Sequence, residues 1–187
     1  MDVAGPPTST DARAAGWAEA LALLAAAGAT TTGTDSAGVL DAAVVDGPGA
    51  RVTLRSPDGA VATATVTLGD EPRVSVAVAC GDPLDEVVVR SYAVGAAHMA
   101  LGWVTSEGLA VDAAGEVHDL TIRSFGVLRA TDTPPIDVTV TAPGGTGGPR
   151  EPVNGSDAVF AAVAAATWLA QGTPGAWPTG MRLRPAR

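Results

Sequence analysis

Residues 62–68 alternate strictly between apolar and hydroxyl side chains. Ala62, Ala64, Val66 and Leu68 take one side, and Thr63, Thr65 and Thr67 take the other. A period of two puts successive side chains on opposite faces, so this segment is a half-buried strand. Just before it stands Ser56-Pro57-Asp58-Gly59, a strong turn signal, and "RVTLR" at 51–55 is the matching hairpin arm. Val74, Val76 and Val78 repeat the alternation in a third strand. The chain is therefore committed to a β-meander whose inward side chains are mostly Ala and Val. Hydrophobic residues make up 47% of the 187 residues and aromatics only 4%, so the core is one of small side chains. Helices can lie close on such a sheet.

Helical spacing flanks the meander. Asp11 can cap a helix over 12–27 that carries Trp17, Leu21 and Leu24 on one face and stops at Gly28. Residues 29–50 are rich in Thr, Gly and Asp and hold one short apolar piece, "VLDAAVV". After the third strand, Pro83 suits the first turn of a helix over 84–105, where Asp85 and Glu86 complement the helix dipole. Gly95, Ala96, Ala97 and Ala100 give that helix a thin face. "GLAVDAAGEVHDLTI" reads as a second strand–turn–strand unit turning at Asp112 to Gly115, and "IDVTVTA" as a strand opened by Pro134 and Pro135. A last helix over 156–170 is capped by Asn154 or Ser156, with Val159, Phe160, Val163 and Trp168 as its buried stripe. The expected fold is α/β of the α+β type. It is one two-layer domain in which a mixed, largely antiparallel sheet is covered by about three helices. The folded unit is expected over 11–172, with a loose tail at 1–10 and an irregular one at 173–187.

Charge and composition remove several function classes. The net charge is −9 and no basic cluster exists, so phosphate neutralisation cannot drive nucleic-acid binding. No apolar run reaches the ~20 residues of a bilayer span, and the first residues lack the pattern of a signal peptide. A cytoplasmic protein without a membrane partner is expected. The single cysteine, Cys80, rules out an internal disulfide and any site needing several Cys ligands, and it is expected to be a small buried residue. His98 is expected in the core or at its rim and His118 on an exposed strand. Their positions give no metal-ligand spacing, so no metal held by protein ligands is expected.

"GGTGGPREPVNG" remains, a glycine-rich turn holding the carboxylate Glu151 just ahead of the last helix. It has no Gly-Lys-Ser/Thr and is not a P-loop. A carboxylate on such a turn can approach a bulky group closely, and free glycine N–H groups can meet a phosphate. Three stretches, taken together, resemble a known family. They are "TATVTLGDEPRVSVAVACGDPLDEVVV", "ALGWVTSEGLAVDAAGEVHDLTIRSFGVLRATDTPPIDVTV" and "GGTGGPREPV". From about Thr63 to about Gly172 they resemble the C-terminal part of the molybdopterin-binding large subunit of the xanthine dehydrogenase and aldehyde oxidase family. The resemblance lies in a strand pair entering an Asp-Cys-Gly turn and helix, a Gly-Leu-Gly helix end, an Asp-x-Pro-Pro before a strand, and a Gly-x-Lys-Gly-x-Gly-Glu-Pro loop.

The resemblance implies that Glu151 is the catalytic base, and that Gly145, Gly148, Arg150 and Tyr92 occupy cofactor-binding positions. It also implies molybdopterin as cofactor, bound only when a larger molybdopterin-binding subunit completes the site, and none in the isolated chain. The departures are Arg150 where the family has glycine, Gly147 in place of the loop lysine, and Tyr92 and Met99 in place of glutamines. Arg150 would set a guanidinium beside the base. Two readings follow: a separately encoded piece of a molybdenum hydroxylase, or a non-catalytic relative kept as a partner-binding or assembly module. A third is a small-molecule binding domain that uses the loop without metal. For the first, the Ala/Gly face of 84–105 and the loop 144–151 are expected to form an exposed docking surface.

Overall fold

The alternating segments form the strands they predict. The computed structural model describes residues 40–118 and 121–183; the expected helix over 12–27 and the tail 1–10 lie outside the described residues. Four strands run in sequence as an antiparallel meander, β1 (Leu40–Asp46), β2 (Gly49–Arg55), β3 (Val61–Thr67) and β4 (Arg73–Ala79). The chain then crosses the sheet through α1 (Glu86–Thr105), forms the small hairpin β5 (Ala110–Val111) and β6 (Val117–His118), and makes one turn of helix, α2 (Ile122–Phe125). It returns as β7 (Ile136–Val140), parallel to β4, and ends in α3 (Ser156–Ala170). The long crossover is what permits a parallel pairing. The main sheet has the order β1-β2-β3-β4-β7, and β5-β6 is a separate two-stranded sheet. This is the mixed, mostly antiparallel α+β fold that the sequence predicts.

Register turns the alternation into a core. Val52 pairs with Ala64, Ala64 with Val76 and Val76 with Val138. All four are buried, so one row of small side chains crosses four strands. A second row runs Leu54, Ala62, Val78 and Val140, and a third runs Ala50, Val66, Val74 and Ile136. The other face carries the hydroxyls, with Thr53 and Thr63 hydrogen-bonded through their Oγ1 atoms at 2.9 Å. A slip by one residue would exchange the two faces, which is why this register is strongly specified.

The helices correct three expectations. Helix α1 begins at Glu86, not in a turn holding Pro83. Its N-cap is Asp85, whose carboxylate accepts from Val87 N at 2.8 Å and Val88 N at 3.3 Å. Its small-residue face is not an open docking surface. Ala93, Ala96, Ala97, Ala100, Leu101 and Val104 are buried. The reason is that α3 is equally small-sided, and α1 packs against α3 and β7. The exposed face is instead Val87, Val88, Tyr92 and Met99. By length and composition alone α1 is long and apolar enough to cross a membrane, contrary to expectation, although here its small-residue face packs in the core.

Helix α3 lacks a single stripe. Ala158, Val159, the whole run Ala161–Thr167, and Leu169 are buried, so the helix is enclosed almost all round. A segment of Ala and Val hides its true burial from any periodicity measure, because both residues are apolar on every face. Its N-cap is Gly155, and the Asn154 side chain accepts from Ser156 N at 2.9 Å. The following residues, to 183, hold neither helix nor strand, yet they join the core. Trp177 packs edge-on to Trp103 and Trp168, Thr179 N donates to Val104 O, and Leu183 is buried.

Ala97 is fully buried among these close-packed elements. Ala97→Leu is expected to lower stability by about 1–3 kcal/mol through overpacking, read as a lower denaturation midpoint in urea. An unchanged midpoint would mean that the helix contact is looser than described.

Candidate functional site

The end of β4 and the segment before α3 are laced together by their backbones. Cys80 O accepts from Val153 N at 2.9 Å, and Asp82 N donates to Arg150 O at 3.1 Å. Between these bonds sits Gly81, at φ +86, where a Cβ would fall on the Glu151 carbonyl. Only glycine permits this crossing, both for its positive φ and for the missing Cβ. Glu151 is thus held rigidly by its main chain while its side chain is exposed.

The glycine-rich loop is folded against the sheet. Residues Gly145–Gly147 form a 3-10 turn. A Cβ on Gly148 would lie 2.5 Å from Ala79 Cβ, so this glycine is needed for close approach to β4. Arg55 Nη1 donates to Gly147 O at 3.0 Å and ties the loop to the β2–β3 hairpin. The loop also uses its own donors: Gly144 N to Pro149 O, Gly145 N to Ala142 O, and Gly148 N to Gly145 O. Arg150 folds back across Gly144, its Cζ 3.9 Å from where a Cβ there would stand. No ion pair joins Arg150 to Glu151 among the described residues.

Tyr92 stands one helical turn and a half into α1 and is 68% exposed. It marks the rim of a pocket of about 380 Å³ that opens between the N-terminal ends of α1 and α3. Val78, Cys80 and Ala93 form the buried floor, and Val88, Val89 and Val153 form the walls. Of the sequence-predicted residues, Tyr92 lines this pocket, while Glu151 lies two residues before its wall residue Val153. Gly145, Gly148 and Arg150 belong to the loop beside it and do not line it.

Titratable groups elsewhere respond to local surroundings. Burial pushes the Cys80 thiol up from its ordinary value. Burial also raises Glu107, while the nearby His98 pulls it back down. In the β5–β6 hairpin, the hydrogen bond from His118 and then the backbone N–H of Glu116 hold Asp112 below the usual carboxylate range. Asp112, Glu116 and His118 place one ligand atom each within 4.8 Å of one another, all exposed. The sequence reading passed over this trio; the signal was carboxylate, carboxylate and imidazole at i, i+4 and i+6 across a turn. His118 Nε2 meets Asp112 Oδ2 at 2.7 Å, so these two side chains clasp the hairpin.

No family model matches the sequence, and no curated protein matches it at a significant level. Solved structures do. The fold is similar to that in the Cu,Mo-CO dehydrogenase in its carbon monoxide reduced state, at a TM-score of 0.50 and 13% identity, over 60% of this chain and 15% of that one. Reconstituted CO dehydrogenase from Oligotropha carboxidovorans gives 0.49 and 13%, again over 60% and 15%. Quinoline 2-oxidoreductase from Pseudomonas putida 86 gives 0.47 and 16%, over 63% and 15%. The likeness at a TM-score of 0.50 is one of fold. This chain spans about 15% of the length of the solved chains it matches.

The Gly81 crossing can be tested without any assay of function. Gly81→Ala is expected to lower stability by about 2–4 kcal/mol, because the added methyl meets backbone that cannot step aside. Equilibrium denaturation measures it; a loss within about 0.5 kcal/mol, the range of an ordinary surface change, would show that the two segments are not in contact.

Proposed function

We propose that the chain is a C-terminal cofactor-domain-like subunit or fragment of a molybdenum hydroxylase of the xanthine dehydrogenase and aldehyde oxidase type. It would act only when a larger molybdopterin-binding subunit completes the site. The observation that carries this reading is the lacing of Cys80–Asp82 to Arg150–Val153. Two segments that bear the sequence resemblance, 70 residues apart in number, meet there and hold Glu151 on an immobile turn. The likeness of fold to the Cu,Mo-CO dehydrogenase supports the same reading at the level of architecture. A cytoplasmic location belongs to the proposal, as it did to the sequence.

The residues fit a cofactor presented from outside the chain, not one enclosed by it. The Glu151 side chain is exposed and the Tyr92 ring stands open at the pocket rim. The N–H groups of Gly144, Gly145 and Gly148 are engaged within the loop. Gly145 and Gly148 would therefore serve by letting the backbone lie close, rather than by donating to a phosphate. When bound, molybdopterin supplies two-electron redox chemistry at molybdenum. Glu151 would be the base: its exposed carboxylate would accept a proton during the reaction, and the fixed main chain sets the point from which that side chain reaches. Arg150 contributes positive charge to the loop beside it, and Tyr92 would offer its exposed hydroxyl to the cofactor.

The test uses the complex isolated from the native host. Glu151→Gln is expected to leave assembly intact and to lower turnover by about 10²–10⁴-fold, the worth of a positioned base. The chain purified alone is expected to contain no stoichiometric molybdenum by elemental analysis. Unchanged turnover would remove Glu151 from the reaction. Purification from the host only as a lone monomer would end the subunit reading altogether.

A further inference from the structure

We propose that the pocket between the N-terminal ends of α1 and α3 binds a small, neutral, mostly apolar molecule, and does so in the chain by itself. This stands apart from the hydroxylase reading, since it needs neither metal nor partner.

Size and lining set the ligand class. At about 380 Å³ the pocket lies near the small end of the range of about 300–1,000 Å³ typical of ligand sites, which suits a one- or two-ring molecule. Its floor and walls are Val, Ala and the Cys80 thiol. Burial raises that thiol, which favours its neutral form. Polar groups occur only around the opening, at Tyr92, Asn154 and Ser156. The Tyr92 hydroxyl makes no hydrogen bond among the described residues. The Asn154 carbonyl oxygen is taken by Ser156 N, so what Asn154 can offer a single polar group on the ligand is its amide N–H. An apolar body with one hydrogen-bonding end matches this arrangement.

Charge argues against an anion. Helix N-termini favour negative charge, but α1 already receives it from the carboxylate of Asp85, its own N-cap. The connection from Cys80 into α1 carries Asp82, Asp85 and Glu86, and no Arg lines the pocket. The first free amide of α3 is occupied by Asn154. A phosphate would meet acidic neighbours and no unopposed cation.

Cys80 makes the test direct, because it is the sole cysteine and lies on the pocket floor. The full chain is titrated with naphthol by ligand-observed NMR, and in parallel the rate of Cys80 alkylation by iodoacetamide is followed by mass spectrometry. Saturable binding below about 1 mM is expected, the range open to about 11 heavy atoms. Naphthol at four times its dissociation constant is expected to slow alkylation about fivefold, by mass action. Naphthyl phosphate, the anionic counterpart, is expected to do neither. Val88→Trp, at a half-exposed wall position, is expected to fill the opening and weaken naphthol at least about tenfold with unchanged thermal unfolding. If Val88→Trp does not fold, Asn154→Trp from the opposite rim replaces it. Alkylation indifferent to naphthol, equal affinity in the tryptophan variant, or tighter binding of naphthyl phosphate would each overturn the proposal.

Discussion

The two backbone hydrogen bonds that lace Cys80–Asp82 to Arg150–Val153 decide where everything else goes. They lie at the end of β4, immediately ahead of α1, and immediately ahead of α3. Fixing them fixes both helix origins at one end of the sheet. From there, α1 and α3 run back over the sheet side by side, and their small faces pack against each other. The same crossing explains why Gly81 is a glycine and why the Glu151 main chain has one available position. Stability and the proposed chemistry thus share a single junction.

That junction also accounts for the glycine-rich loop without any ligand. Gly148 is required for contact with Ala79, and the N–H groups of Gly144, Gly145 and Gly148 close on carbonyls of the same segment. A glycine-rich sequence has two physical readings, an open cradle of donors or a tight packed turn. Here the packing one is met in full. The Glu151 side chain remains exposed beside it.

Much of this was legible in the residues, and the failures have physical causes. The meander was legible because Thr alternates with Ala and Val, and only one register hides the apolar set. The β5–β6 turn was legible from Asp112 to Gly115, where the Asp112 carboxylate accepts from Ala114 N and Glu116 N. The surroundings of α3 were not, because a run such as Ala161–Ala166 has no polar side from which to read an orientation. The fate of the α1 small face was misjudged for a related reason: thin faces fit both a neighbour in the same chain and one outside it. The true start of α1 turned on Asp85 outcompeting Pro83, a choice made by side-chain capping. For the site, the family resemblance put Tyr92 and Glu151 on one cofactor, but the pocket that Tyr92 lines depends on where two helix ends meet, which no local pattern encodes.

The docking of Trp177 between Trp103 and Trp168 has a further consequence. Three of the four tryptophans of the chain sit within one cluster, with ring centroids 4.4 and 5.3 Å apart and near-perpendicular or steeply tilted planes. Indoles that close couple their electronic transitions, so the segment carrying Trp177 is wired into an optical reporter that the rest of the fold supplies. Detachment of the segment carrying Trp177 would break the coupling while leaving the sheet and both long helices in place. The molecule carries its own spectroscopic readout of whether its last described residues are seated.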